Sequence, residues 1–306
     1  MHIALLDVDI PVLAVYHQRG LYSSQFRRLL ENAATRVNHT TKLHTTTFDV
    51  VGGSLPPLTS LRTSRHDRDQ KNNATPNPNP NPLALPIDGI LITGAGAGAY
   101  ETFNHPWIVT LQTYLQTVYA NYPHVKLFGS CFGHQIIAQA LLPPASFKVE
   151  SAKPHHGDEM GLVPVTLTKG FVERFSVLRE GGAPARRMRL QMVHGDWVTA
   201  VEEEKETMEF PRGWMNVGSS DACPIQGLYC PQRVLTYQGH FEFDVWVTRE
   251  TVVEFARRYG WEEAVVERYL QAIQQGREKC QDGDDDNDES RLAAEVLVMF
   301  FAGEDE

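Results

Sequence analysis

The residues of this chain with the clearest chemical use are Gly129-Ser130-Cys131-Phe132-Gly133. An ionised thiol is a strong nucleophile, and a sharp turn that presents one needs small residues two positions before and after it. Val125 to Phe128 reads as a strand and Gly133 to Leu142 as a helix, so Cys131 is predicted at a strand-to-helix turn, with cysteine where other hydrolases carry serine. The amino end of the helix points at the sulfur there. Its dipole favours the thiolate, and its free backbone N–H groups can hold an oxyanion.

A thiol nucleophile needs a base and a group that orients the base. His240-Phe241-Glu242 follows the predicted strand Val234–Tyr237 just past Gly239. In an extended chain, residues two apart point the same way, so the carboxylate of Glu242 can sit beside the imidazole of His240. Other histidines compete. His134 lies three residues past the thiol on the predicted helix, and His155, His156 and His194 fall in predicted loops. A zinc site drawn from these and Cys131 lacks the usual ligand spacing, so no metal is expected.

The elements that must position these residues alternate. Strands are predicted at Ile3–Leu6, Thr45–Val51, Ile87–Thr93 and Val125–Phe128, and helices at Ser23–Ala34, His105–Ala120 and Gly133–Leu142. Strand and helix in alternation argue for an α/β fold with an open, mostly parallel sheet and helices on both faces. Further on come short strands at Val163–Leu167, Arg189–Val193, Ile225–Tyr229 and Val234–Tyr237, then helices at Thr248–Tyr259 and Trp261–Gln275. No composition break marks a second domain, so residues 1–280 are expected to form one.

Two segments are expected outside it. Residues 53–86 hold charges, serines and the Asn-Pro run from Asn77 to Pro82, which suits a flexible surface insertion. Residues 281–306 read as an acidic linker followed by a last helix over Arg291–Phe301. That tail contains ten acidic residues and one base, so it carries nearly all of the net charge of −10. The body is close to neutral and has no basic stripe, which argues against nucleic-acid binding. The Asp-rich run 282–288 does not match a calcium-loop spacing.

Four cysteines in 306 residues make no disulfide framework, although Cys223 and Cys230 could pair in an oxidising compartment. No run of eighteen apolar residues suggests a membrane span. The first residues lack a basic region and are interrupted by Asp7 and Asp9, so no secretory signal is expected. Together these point to a cytoplasmic setting.

Four blocks in order resemble the class I, or triad, glutamine amidotransferases, over most of residues 1–247. They are Ile92-Thr93-Gly94-Ala95, Gly129-Ser130-Cys131-Phe132-Gly133-His134-Gln135, Met192-Val193-His194-Gly195-Asp196 and Gln238-Gly239-His240-Phe241-Glu242-Phe243. Gly161-Leu162-Val163-Pro164-Val165 is similar to stand-alone members related to the amidotransferase half of GMP synthase. The family commonly has proline where this chain has Phe241, and its glycine turn is less glycine-rich than Gly94-Ala95-Gly96-Ala97-Gly98.

The resemblance implies a flavodoxin-like sheet and cleavage of a γ-glutamyl amide. Cys131 would attack the γ-carbonyl, His240 oriented by Glu242 would move the proton, and backbone N–H groups near Gly94 and Ala95 and at Phe132 would hold the oxyanion. Gln135, His194 and Asp196 would position the small-molecule γ-glutamyl substrate. No cofactor is implied. The chain carries no glycine-rich phosphate loop followed by Lys-Ser or Lys-Thr, so an acceptor-activating synthase would be a separate subunit. Without one, the chain would be a γ-glutamyl peptidase acting on glutathione conjugates. The reading of a different class is a catalytically silent binding scaffold.

Overall fold

Four parallel strands end their carboxyl edges side by side beneath one cleft, and the order of elements explains how. The computed structural model describes residues 1–37, 42–64, 85–151, 158–179, 187–201, 208–278 and 288–305. In chain order the first half contains β1 (His2–Asp7), α1 (Leu13–Arg19), α2 (Tyr22–Arg36), β2 (His44–Asp49), β3 (Gly89–Ile92), α3 (Trp107–Asn121), β4 (Lys126–Ser130) and α4 (Phe132–Leu141). Next come β5 (Phe147–Ser151), β6 (Glu159–Leu167), α5 (Lys169–Val172), β7 (Arg187–His194), β8 (Asp196–Ala200), β9 (Met215–Asn216) and β10 (Gly218–Ser219). The chain closes with β11 (Leu228–Cys230), β12 (Val234–Tyr237), α6 (Val245–Tyr259), α7 (Glu263–Glu278) and α8 (Asp288–Ala302).

The main sheet runs β2-β1-β3-β4-β12-β11-β9. Its first five strands are parallel, and β11 and β9 extend it antiparallel. It is the open, mostly parallel α/β sheet expected, with helices on both faces. Strand β1 shows why both faces must be covered. Ile3 and Leu5 pack on one side with Phe26 and Leu30 of α2 and Leu297 of α8. Ala4 and Leu6 pack on the other with Ile108, Leu111 and Leu115 of α3 and Ile136 of α4. Burying each such side chain fully stabilises the fold by about 1.5–3 kcal/mol. On α3 the buried Ile108, Leu111, Leu115 and Val118 recur at helical spacing and form one apolar stripe.

A three-stranded antiparallel sheet, β10-β6-β7, and a two-stranded one, β5-β8, flank the main sheet. The loop between β7 and β8 brings His194, Gly195 and Asp196 to the cleft. Helix α6 begins where the Asp244 carboxylate accepts a bond from the Val247 N–H at 2.8 Å. It stops at Gly260, whose left-handed φ of 64° closes the last turn.

The structure departs from expectation at several points. Helix α3, expected over His105–Ala120, begins at Trp107 with Pro106 as its N-cap. Within residues 53–64, expected as part of a flexible insertion, Pro56, Leu61 and Arg62 are buried. Leu61 is buried and bridges Ile87, and the Arg62 guanidinium pairs with the Asp88 carboxylate. The Asn-Pro run and the rest of 65–84 lie outside the described residues, as do His155, His156, Cys280 and most of the Asp-rich run. Helix α8 packs Ala293, Leu297, Phe300 and Phe301 into the core. Cys223 and Cys230 are both free thiols.

Candidate active site

Cys131 has φ 51° and ψ −108°, a backbone conformation that non-glycine residues rarely adopt. It sits between β4 and α4, so the strain lies at the position the sequence offers as nucleophile. The flanking glycines are there for space. A Cβ on Gly129 would lie 2.2 Å from the Gly133 carbonyl, and one on Gly133 would lie 2.4 Å from the carbonyl oxygen of Ile92. Only glycine at both positions lets the turn close this tightly. Phe132 is the first residue of α4, where a backbone N–H has no acceptor within the helix.

His240 and Glu242 meet as their spacing predicted. His240 Nδ1 lies 2.7 Å from Glu242 Oε1, so Nδ1 carries the hydrogen and the carboxylate accepts it. Both side chains are buried. Ser130 Oγ also approaches the Glu242 carboxylate, at 3.4 Å. Burial by itself would push the imidazole pKa down. The Glu242 carboxylate and the sulfur of Cys131 outweigh it and raise the value to about 10. At neutral pH His240 therefore carries a proton. Its ring stacks on Phe243, with centroids 4.0 Å apart and planes at 7°.

The glycine turn after β3 passes over this pair. A Cβ on Gly94 would fall 2.9 Å from His240 Cε1 and 3.5 Å from Cys131 Cβ. Its glycines do not leave it loose: Gly96 N–H donates to Asp9 Oδ2 at 2.8 Å, and Gly98 N–H donates to Glu101 Oε2 at 2.7 Å.

These groups open into a cleft of about 700 Å³, lined by Cys131, Ala95, Gln135, His194 and Asp196 among others. Gln135 Nε2 donates to the Asp196 carbonyl at 3.1 Å, and the Asp196 carboxylate accepts from Tyr100 Oη at 3.1 Å. Burial raises the pKa of Asp196, partly offset by the Tyr100 bond. His194 Nε2 lies 3.0 Å from Glu159 Oε2, and Glu159 also accepts from Ser220 and Gln226. Burial opposes ionisation of Glu159, but these donors together hold its pKa below the usual value.

Among known proteins, the chain is 29% identical over 252 residues to a Schizosaccharomyces pombe protein named as glutamine amidotransferase-like, a match spanning 82% of this chain and 83% of that one. It is 36% identical over 161 residues to a Saccharomyces cerevisiae protein named as a glutamine amidotransferase, across 51% and 53% of the two chains. Gamma-glutamyl peptidase 2 of Arabidopsis thaliana is 23% identical over 186 residues, covering 61% and 66%. The crystal structure of a glutamine amidotransferase from Thermotoga maritima superposes with a TM-score of 0.58 at 14% identity, over 98% of each chain. The chain is thus similar to proteins named as glutamine amidotransferases, and it shares the fold of one. No family model matches it.

Within this glutamine amidotransferase-like fold, Cys131, His240 and Glu242 come together at the carboxyl edge of β4 and β12, the edge where open α/β sheets bind ligands. Gly94 and Ala95 lie over the pair, and Gln135, His194 and Asp196 line the cleft beside it. His134 turns away: its Nδ1 lies 2.7 Å from Thr236 Oγ1, and burial together with the charge of His194 lowers its pKa to about 3. Sequence reasoning passed over Ser130, Phe243 and Glu159. Phe243 follows Glu242 directly, and in the sequence nothing separates it from an ordinary core aromatic. Among the described residues, no three His, Cys, Asp or Glu side chains group as a metal site would. No described helix is long and apolar enough to cross a membrane.

Proposed function

We propose that this chain is a γ-glutamyl hydrolase that works through a thioester on Cys131. The strained turn carrying Cys131 beside the His240–Glu242 pair is the observation that supports the reading. Cys131 Sγ bonds to the γ-carbonyl carbon, and backbone N–H groups at Ala95 and Phe132 hold the oxyanion. The C–N bond then breaks with its electron pair on nitrogen. His240, protonated at neutral pH, supplies the proton that lets ammonia or an amine leave. Water, giving its proton to His240, attacks the thioester; the C–S bond breaks with its electron pair on sulfur, releasing glutamate and leaving the Cys131 thiolate beside protonated His240. Glu242 keeps the hydrogen on Nδ1 and directs the other ring nitrogen to the sulfur.

Gln135, His194 and Asp196 hold the glutamyl head in this reading, and a separate synthase subunit would use the ammonia. Free thiols at Cys131, Cys223 and Cys230 are in keeping with a reducing cytoplasm. A second reading, a γ-glutamyl peptidase, is favoured by the size of the cleft. At about 700 Å³ it falls in the range of sites that enclose drug-sized ligands, and free glutamine would leave most of it to solvent.

The test is glutamate release from L-glutamine and from a glutathione S-conjugate, by wild type and Cys131→Ala. Glutamine turnover lost in the variant supports the amidotransferase-type hydrolase. Turnover of the conjugate alone selects the peptidase. If Cys131→Ala retains wild-type turnover, or neither substrate reacts, the thioester reading fails.

A further inference from the structure

Along the glycine turn the cleft has a polar lobe next to Gly98 and an aromatic lobe next to Gly96. On one side, around Gly98, stand Tyr100, Glu101, Gln135 and Asp196, a polar set suited to the charged α-amino acid end of a glutamyl group. On the other side, past Gly96, stand Phe255 and Tyr259 from the end of α6 and Trp261 just beyond it. A Cβ on Gly96 would lie 3.5 Å from Asp9 Oδ2 and 3.6 Å from both Phe255 Cζ and Tyr259 Oη, so these rings reach the turn itself. Cys131 lines the same cavity.

The second lobe presents rings. Phe255 and Tyr259 meet edge to face, with centroids 5.7 Å apart. Trp261 is held edge to face against Tyr269 at 5.6 Å. The carboxylates nearby are already engaged by the protein. Asp9 accepts from the N–H groups of Ile10 and Gly96, and Asp158 accepts from the Tyr269 hydroxyl. The exposed guanidinium of Arg258 lies 3.8 Å from Glu254. Tyr259 is 53% exposed, a large ring at the edge of the cleft. Rings with satisfied polar neighbours gain most from an apolar or aromatic partner.

We propose that Phe255, Tyr259 and Trp261 form a leaving-amine subsite, and that the chain prefers γ-glutamyl amides whose amine bears an aromatic side chain. The inference rests on the thioester reading above and adds to it the side of the scissile bond that decides specificity. The glutamyl head occupies the polar lobe, the carbonyl lies at Cys131, and the amine extends past Gly96 onto the rings. It leaves as a free amine after taking its proton from His240.

The test compares γ-L-glutamyl-phenylalanine, γ-L-glutamyl-alanine and γ-L-glutamyl-lysine, whose leaving amines have the same α-amino acid chemistry. Wild type is expected to show a kcat/KM for the phenylalanine substrate at least about tenfold above that for alanine. Phe255→Leu and the surface variant Tyr259→Ala are each expected to pull that ratio toward one. Tyr259 is exposed enough that its variant folds, so a flat ratio there cannot be put down to misfolding. Equal use of phenylalanine and alanine by wild type, a preference for lysine, or a ratio unchanged in both variants would overturn the inference. Cys131-dependent turnover of glutamine without turnover of any dipeptide would overturn it too, while leaving the thioester reading intact. No Cys131-dependent turnover of any of the four substrates would remove both.

Discussion

The imidazole of His240 lies between two neighbours from its own segment: the Glu242 carboxylate at 2.7 Å from Nδ1, and the Phe243 ring stacked 4.0 Å away. One fixes the tautomer and the other the plane of the ring. Phe243 is itself stacked on Tyr22 of α2, so the orientation of the histidine is carried into the core.

The first prediction follows from that pairing. In Glu242→Gln the shape is kept, but the amide can donate to Nδ1 and so favour the wrong tautomer. The kcat for glutamate release is expected to fall by about a hundredfold or more, with KM little changed. Steady-state kinetics on the best substrate found for wild type decide this. A kcat within a few fold of wild type would mean that Glu242 does not orient the base.

A second prediction separates two glycines of one turn. In Gly94→Ala the new methyl would sit 2.9 Å from His240 Cε1, closer than carbon atoms approach without displacement. The imidazole has to move, and kcat is expected to drop at least about tenfold. In Gly96→Ala the nearest atoms are 3.5–3.6 Å away, ordinary contact distances. That variant should keep a kcat close to wild type on glutamine. Equal losses in both would argue that the turn acts as a unit and not through His240.

His134 supplies a pH prediction. It is fully buried, and its folded pKa of about 3 lies below the ordinary value of 6.5. Between those two values the unfolded chain binds a proton that the folded chain refuses. Stability from this residue is therefore complete above pH 6.5 and declines as the pH falls toward 3, by up to ~1.4 kcal/mol per pH unit. Urea unfolding at pH 7.5 and pH 5 should show a smaller loss for His134→Gln than for wild type. An identical pH dependence in the two proteins would count against a neutral His134.

How much of this was legible in the sequence depends on whether the signal was local. Cys131 could be placed because two glycines, a strand and a helix all lie within a dozen residues of it. His240 and Glu242 could be paired because the period of extended chain is two. The partner of His194 could not, since Glu159 comes from the neighbouring strand β6, 35 residues away, and only the β6–β7 pairing brings them opposite each other. Helix α1 was missed because seven residues with one buried side chain, Val15, leave no periodic stripe to read. The strands β5 and β8 owe their form to each other more than to their own composition, so neither stood out alone.

Asp305 is the sharpest case, and it gives the last prediction. In the sequence it is one of ten acids in a tail that carries most of the chain's negative charge. In the structure it is buried, and its Oδ2 accepts from Tyr229 Oη and from the Gln232 N–H, both at 2.8 Å. Lys126 Nζ lies 3.9 Å from its Oδ1. Gln232 has a positive φ of 61°, so the carboxylate also holds a strained turn between β11 and β12, the strand that leads to His240. Asp305→Ala leaves a buried hydroxyl and a backbone N–H without their acceptor, which costs about 2–3 kcal/mol. The neighbouring Glu304 is exposed and serves as the control. Thermal unfolding should show Asp305→Ala melting about 5 °C or more below wild type, while Glu304→Ala stays near it. Equal melting temperatures for the two variants would show that the tail contributes through α8 alone.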